Sequence, residues 1–214
     1  MAVKSGRNDK TTRAKVTRDP ADWDRDYRAG RWTYLTEPRE QARLAVAALY
    51  VHLFGPGAVL DIGCGAGQLF HLLDRTRVTS YMGVDFSAAA IEAARADPSV
   101  TTFVHASAET FTPPAGVLFN SILFNEVAYF IEDPLEELHR YATFLAPDGV
   151  LILSITRAVL EGGSRDDKMN ALWTALDEGP WQSLDEVFVN HRASGNSWRL
   201  RALRPSIGSA PTSA

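Results

Sequence analysis

The chain has little of several things, and each lack excludes a class of protein. It holds one cysteine, Cys64, in 214 residues. No intrachain disulfide is possible, and a cysteine-ligated zinc site is excluded. No apolar run approaches the ~18 residues needed to cross a bilayer. The first stretch, MAVKSGRNDKTTRAKVTR, has no apolar core of the kind that marks a secretory signal. The expectation is a cytoplasmic protein without membrane contact. Also missing is a basic body. Residues 1–18 hold six bases and one acid, net +5, which leaves −9 for the rest of a chain whose total is −4. A nucleic-acid groove needs clustered Lys and Arg, so no nucleic-acid partner is expected. There is no internal repeat and no cluster with metal-ligand spacing. Acids such as Asp166 and Asp167 read as a helix start, and no metal is expected.

What remains is ordinary for a globular chain, with 45% hydrophobic and 22% charged residues. Residues 1–18 read as a flexible basic tail, 19–205 as a single domain and 206–214 as a second flexible tail, with 19–54 an N-terminal lid and helical region. Thr36 as N-cap, Pro38 in the first turn and Leu44, Ala48, Leu49 and Leu53 at helical spacing predict a helix over 36–54. Short apolar runs then alternate with helical segments. Strands are expected at AVLDIGCG, YMGVDFS, VTTFVHAS, SILFNEVAYF and GVLILSITR. Helices are expected at Gln68–Asp74, at AAAIEAARAD, from Asp133 to Leu145, and at about 165–178. That alternation predicts parallel βαβ units with helices on both faces. EVFVNHRA and SWRLRAL, joined at Ser194-Gly195-Asn196, predict an antiparallel hairpin at the end. The fold class is α/β, a doubly wound and mostly parallel seven-stranded sheet.

The chemistry concentrates at Asp61-Ile-Gly63-Cys64-Gly65-Ala-Gly67. Glycines after a strand let the backbone turn tightly and approach a ligand. The dinucleotide spacing G-x-G-x-x-G fails, because Gln68 stands where glycine is required, and no Gly-Lys-Ser/Thr of a phosphate loop follows. A carboxylate at Asp61 would repel a pyrophosphate. Asp85 ends the next strand, where an acid can accept both ribose hydroxyls. The ligand implied is a nucleoside with a cationic tail and no phosphate.

On these residues the chain resembles a class I S-adenosylmethionine-dependent methyltransferase from about Trp23 to Pro205. Asp61, Gly63, Gly65 and Gly67 match the family's D/E-x-G-x-G-x-G loop, with Cys64 inside it as a small filler. Asp85 matches the ribose-binding acid, with Phe86 beside the adenine. Ala106-Ser107-Ala108-Glu109 aligns with a segment usually Gly-Asp-Ala-Glu that lines the adenine edge, so Ser107, Ala108 and Glu109 are implied there. Asn125 and Glu126 fall beside the methionine portion. Asn120 stands where Asp is usual, and Asp148 where the first glycine of Leu-x-Pro-Gly-Gly is usual. NEVAYF resembles a segment of small-molecule methyltransferases of secondary metabolism and sugar modification. The resemblance implies S-adenosylmethionine as cofactor, S-adenosylhomocysteine as product, and O-, N- or C-methylation of a small-molecule acceptor by a monomer or homodimer. A cofactor-binding member that catalyses another reaction, such as cyclisation, or serves as a partner subunit is the alternative.

In such a reaction the cofactor carries the hard chemistry, while the protein binds, orients and excludes water. Glu126 at the top of the fourth strand and His105 near the end of the third are the candidate catalytic groups. Tyr27 and Trp32, in the aromatic segment WDRDYRAGRWTYL, are candidates for a lid over the cofactor with Gly30 as hinge. Tyr129, Arg157, Trp173 and His191 are candidates for the acceptor site, with Trp181 nearby. His52, His71 and His139 read as structural or surface residues.

Overall fold

The computed structural model describes residues 19–95, 102–156 and 164–206. The expected tails lie outside them, apart from Ser206, whose N–H bonds the Pro180 carbonyl at 2.9 Å. Arg157 also lies outside the described residues.

The N-terminal region opens with α1, Pro20–Arg28, where the Asp19 side chain accepts from the Ala21 N–H and Pro20 takes the first position. A short 3₁₀ turn, Thr33–Thr36, leads into α2, Pro38–Phe54. Thr36 is not the cap of α2. Its hydroxyl bonds back to the Thr33 carbonyl, and Glu37 holds the capping position.

The strands are β1 (Gly57–Ile62), β2 (Val78–Asp85), β3 (Thr102–His105), β4 (Phe119–Asn125), β5 (Leu145–Thr156), β6 (Trp181–His191) and β7 (Asn196–Pro205). Between them lie α3 (Ala88–Ala94), α4 (Pro134–Ala142) and α5 (Ser164–Glu178). The sheet order is β3-β2-β1-β4-β5-β7-β6, parallel except for β7, which runs antiparallel to β5 and β6. The seven-stranded, mostly parallel sheet is the one the alternation implied.

Two elements differ from expectation. No regular helix follows the glycine loop; only a 3₁₀ turn forms at Phe70–Leu72. Leu69, Phe70 and Leu73 all bury into the sheet, and the Asp74 carboxylate then holds Thr76 in a turn. Too few residues remain for a second helical turn. The fourth strand also stops at Asn125, because Glu126 turns to φ 61° and Ala128–Phe130 form a 3₁₀ turn.

Apolar layers cover both faces. On one, Leu44, Ala47 and Val51 of α2 pack on Val59, Leu123 and Ile152. On the other, Leu138 and Tyr141 of α4 with Met169 and Leu176 of α5 pack on Leu60, Ile122 and Leu151. Each Val, Leu, Ile or Met side chain among them contributes about 1.5–3 kcal/mol on burial. Asn120 pins the start of β1 to β4, because its Oδ1 accepts the Ala58 N–H at 2.9 Å. The strand order reverses between β1 and β4, and a crevice opens at their carboxyl ends, as it does in sheets of this kind. Among the described residues no helix is long and apolar enough to cross a membrane.

Candidate active site

A cavity of about 300 Å³ sits over that crevice. Its floor is the loop after β1. The N–H groups of Gly63 and Cys64 both bond the Val84 carbonyl, at 2.8 and 3.0 Å. Gly63 has φ 71°, and a Cβ there would stand 2.9 Å from Val127. Gly65 has φ 56°, and a Cβ there would stand 2.8 Å from the Tyr27 hydroxyl. At both positions the backbone conformation and the lack of room require glycine.

Two carboxylates flank the loop with different surroundings. Asp85 Oδ2 accepts from Gly65 N at 2.9 Å, and Oδ1 accepts from Ser87 N at 2.8 Å. Burial raises its pKa, against those two N–H bonds. Asp61 is 1% exposed. Its Oδ2 accepts the Tyr81 hydroxyl at 2.6 Å, while its buried Oδ1 has no partner among the described residues. Burial raises its pKa to about 7; the Tyr81 bond pulls down, Asp85 pushes up and Arg43 pulls down. Burial pushes the Cys64 thiol well up, which makes it inert and leaves it a space-filling part.

Facing the carboxylates is a group that the sequence reading missed. Arg43 of α2 is 3% exposed. Its Nε donates to Glu40 Oε2 at 3.1 Å, its Nη1 donates to Asn125 Oδ1 at 2.7 Å, and its guanidinium lies over the Trp198 ring. Arg43 and Asn125 are 82 residues apart, so no local motif announces the contact. The one available signal was a Glu-x-x-Arg pair inside an otherwise apolar helix. Glu126 follows Asn125 into the cavity, half-buried as a residue but with its Oε1 out of contact with solvent. Its Oε1 has no partner among the described residues, and its Oε2 is 3.5 Å from the Tyr129 hydroxyl. Burial raises its pKa to about 7, against Arg43.

The wall comes from the N-terminal region. Trp23 and Trp32 stack with centroids 4.9 Å apart, and Trp23 meets Phe86 and Phe130 edge-on. Tyr27 and Tyr34 flank Trp32. This wall is fastened at α3, where Asp24 Oδ1 accepts from Ser87 Oγ at 2.7 Å and Ala89 N at 3.1 Å.

The cavity therefore gathers Asp61, Gly63, Cys64, Gly65, Asp85, Phe86, Asn125, Glu126, Tyr27, Trp32 and Tyr129 from the expected set. It excludes others. His105 is exposed beside the cavity, with Nε2 3.0 Å from the Phe86 carbonyl oxygen. Gly67 packs under Phe103. Ser107 bonds Thr110, the Ala108 carbonyl accepts from Arg140 and Tyr141, and Glu109 is exposed. None of these lines the cavity: Gly67 is turned toward Phe103, and after β3 ends at His105 the chain turns toward α4. Trp173 is not in an acceptor pocket either. It is 4% exposed, in the core on the opposite face, with Arg199 over its ring. Trp181 begins β6 and stacks on His139. His191 ends β6 and bonds Ser194 in the hairpin turn. Asn196, Thr156, Gln68 and Trp198 line the cavity unforeseen. Among the described residues no grouping of His, Cys, Asp and Glu is arranged to hold a metal ion.

A family model described as a methyltransferase domain matches residues 22–203. The chain belongs to this family. Among curated proteins, the methyltransferase domain is 33% identical over 138 residues to a trans-aconitate 2-methyltransferase of Rhodopseudomonas palustris (strain HaA2), covering 63% of this chain and 50% of that protein. The chain thus spans about half the length of the curated relatives it matches. Among solved structures, the domain resembles the N-methyltransferase NodS of Bradyrhizobium japonicum WM9 in complex with S-adenosylhomocysteine, with TM-score 0.69 and 20% identity over 86% of this chain and 97% of that one. It also resembles the plantazolicin methyltransferase BpumL in complex with a triazolic desmethylPZN analog and S-adenosylhomocysteine, with TM-score 0.61 and 13% identity over 87% and 96% of the two chains. At those identities the likeness speaks to the fold.

Proposed function

We propose that this domain transfers a methyl group from S-adenosylmethionine to a small-molecule acceptor. The observation that carries the reading is the charge pattern of the cavity. Asp61 and Asp85 end adjacent strands on one side, and the buried Arg43 guanidinium stands with Asn125 on the other. That pattern complements a nucleoside joined to an amino-acid tail. The cofactor, when bound, supplies an electrophilic methyl group on a sulfonium.

The residues present fit that molecule. Asp85 accepts from ribose hydroxyls with the lone pairs that Gly65 and Ser87 leave free. The unpartnered Asp61 Oδ1 suits an ammonium group, and Arg43 suits a carboxylate. Phe86 and Trp23 offer apolar faces to the base. The aromatic wall excludes water and presents π-faces to a cationic centre. Holding two reactants in near-attack geometry can supply about 7–11 kcal/mol of barrier reduction. His105, exposed outside the cavity, has no part in this reading.

Calorimetric titration with S-adenosylmethionine and S-adenosylhomocysteine tests it. Micromolar binding is expected, weakened at least tenfold (about 1.4 kcal/mol or more) by Asp85→Ala. Wild-type protein that binds neither compound would sink the reading. Binding without methyl transfer to any acceptor would favour another reaction on the same cofactor.

A further inference from the structure

The polar atoms that suit a nucleoside and its amino-acid tail leave one carboxylate over. Glu126 follows β4 directly, at φ 61°, a region that a non-glycine side chain seldom adopts. Its N–H, bonded to the Ser154 carbonyl at 2.9 Å, holds the turn. The side chain lines the cavity with Tyr34, Tyr129, Phe130 and Trp198. Its Oε1 is buried without a partner among the described residues. Such an atom is costly unless a ligand satisfies it. Burial raises the Glu126 pKa to about 7; Arg43 opposes this, Glu40 adds to it, and the Thr156 N–H and Tyr129 hydroxyl oppose it.

The charge of the lining selects what can approach. Among the described lining residues stand four carboxylates (Glu40, Asp61, Asp85 and Glu126) and one cation, Arg43. Arg43, held by Glu40 and Asn125, is the group that suits the cofactor's own carboxylate in the reading above. An anionic acceptor finds no further cation there and meets Glu126. An amine brings an N–H donor for Oε1, and its ammonium form suits the aromatic faces.

We infer that the methyl acceptor is an amine, seated with its N–H on Glu126 Oε1, and that Glu126 takes the proton the nitrogen gives up. The inference rests on the methyl-transfer reading above. The balance is simple. The nitrogen lone pair forms the N–C bond, and the C–S bond of the donor breaks with its electron pair left on sulfur. The surplus proton passes from nitrogen to the carboxylate. A base of this kind is typically worth 10²–10⁴-fold in rate.

The test adds benzylamine, benzyl alcohol, benzoate or trans-aconitate to protein saturated with S-adenosylhomocysteine, and reads binding by saturation-transfer NMR and calorimetry. Benzylamine is expected to bind in the millimolar range, at least tenfold tighter than benzoate. Glu126→Gln, which makes the same backbone demand, is expected to erase that preference without lowering the thermal unfolding midpoint. With radiolabelled methyl donor, label is expected on the amine nitrogen. As pH falls through about 7 the wild-type rate is expected to drop more steeply than that of Glu126→Gln, which keeps only the limb set by the amine's own protonation. Benzoate or trans-aconitate binding as tightly as benzylamine would overturn the inference. So would benzylamine failing to bind, or the preference surviving in Glu126→Gln. If the variant does not fold, the wild-type comparison of the four probes decides alone. Failure of S-adenosylhomocysteine itself to bind would instead strike the methyl-transfer reading.

Discussion

The floor and the wall of the cavity are built in opposite ways. The floor is backbone geometry: a loop of positive-φ glycines whose N–H groups are spent on the Val84 carbonyl, the Asp85 carboxylate and the Cys64 carbonyl. The wall is side chains: aromatic rings from residues 23–34, stacked on one another and fastened to α3 by one carboxylate. The floor tolerates little substitution because every change alters the chain path. The wall offers contact area that other rings can replace.

The comparison is broken most severely where the two parts meet. Arg43→Ala leaves the buried Glu40 carboxylate and Asn125 without their partner. A loss of about 3–5 kcal/mol is expected in urea unfolding. A loss under about 1 kcal/mol would mean that water reaches the pair, and that floor and wall are not joined there.

The floor also predicts a pH dependence. Asp61 and Glu126 have pKa values raised in the fold to about 7, above those of the unfolded chain. Between the unfolded and folded values the native state holds protons that the unfolded chain has released. The cost of burying the charges is therefore complete above about pH 7 and relieved as pH falls through it, about 1.4 kcal/mol per unit of displacement. Unliganded stability should fall from pH ~6 to pH ~8. Asp61→Asn should flatten part of that slope while weakening cofactor binding. Melting curves at the two pH values check this, and a slope unchanged in the variant would count against it.

The wall has a smaller expected effect. Asp24→Asn weakens two hydrogen bonds to Ser87 and Ala89. A loss of about 0.5–1.5 kcal/mol is expected, confined to α1 and the rings it carries. Hydrogen exchange should quicken in Pro20–Arg28 and not in β1; equal quickening in both would show that the wall does not open separately.

The smallest effect is expected at His105. It is exposed, bonded to a backbone carbonyl oxygen and outside the cavity. His105→Ala should change cofactor affinity and turnover less than about threefold, roughly 0.7 kcal/mol. A larger change in the pH profile would reinstate it at the site through its charge on Asp85.

Much of the floor was legible in the sequence, and the reason is proximity. Asp61, the glycines and Asp85 lie within one stretch from β1 through its loop to β2, so their spacing carries their geometry. The helix expected at Gln68–Asp74 does not form, since its apolar residues serve burial in the sheet and not a helical face. The aromatic content of residues 23–34 was visible, but not that four of its rings line one cavity. From the sequence Trp173 is a candidate for the acceptor pocket and Trp198 is not. The fold buries the first under Arg199 and turns the second to the cavity.

By itself the sequence determined the alternation of strands and helices, the hairpin at the end, and the loop whose glycines admit a nucleoside. These depend on local conformational preference and on apolar periodicity, both written in neighbouring residues. Tertiary structure alone decided that Arg43 reaches Asn125 across 82 residues, and that Glu126 keeps one buried oxygen without a partner among the described residues. Desolvation is a property of everything packed around a group, and no stretch of chain carries it alone.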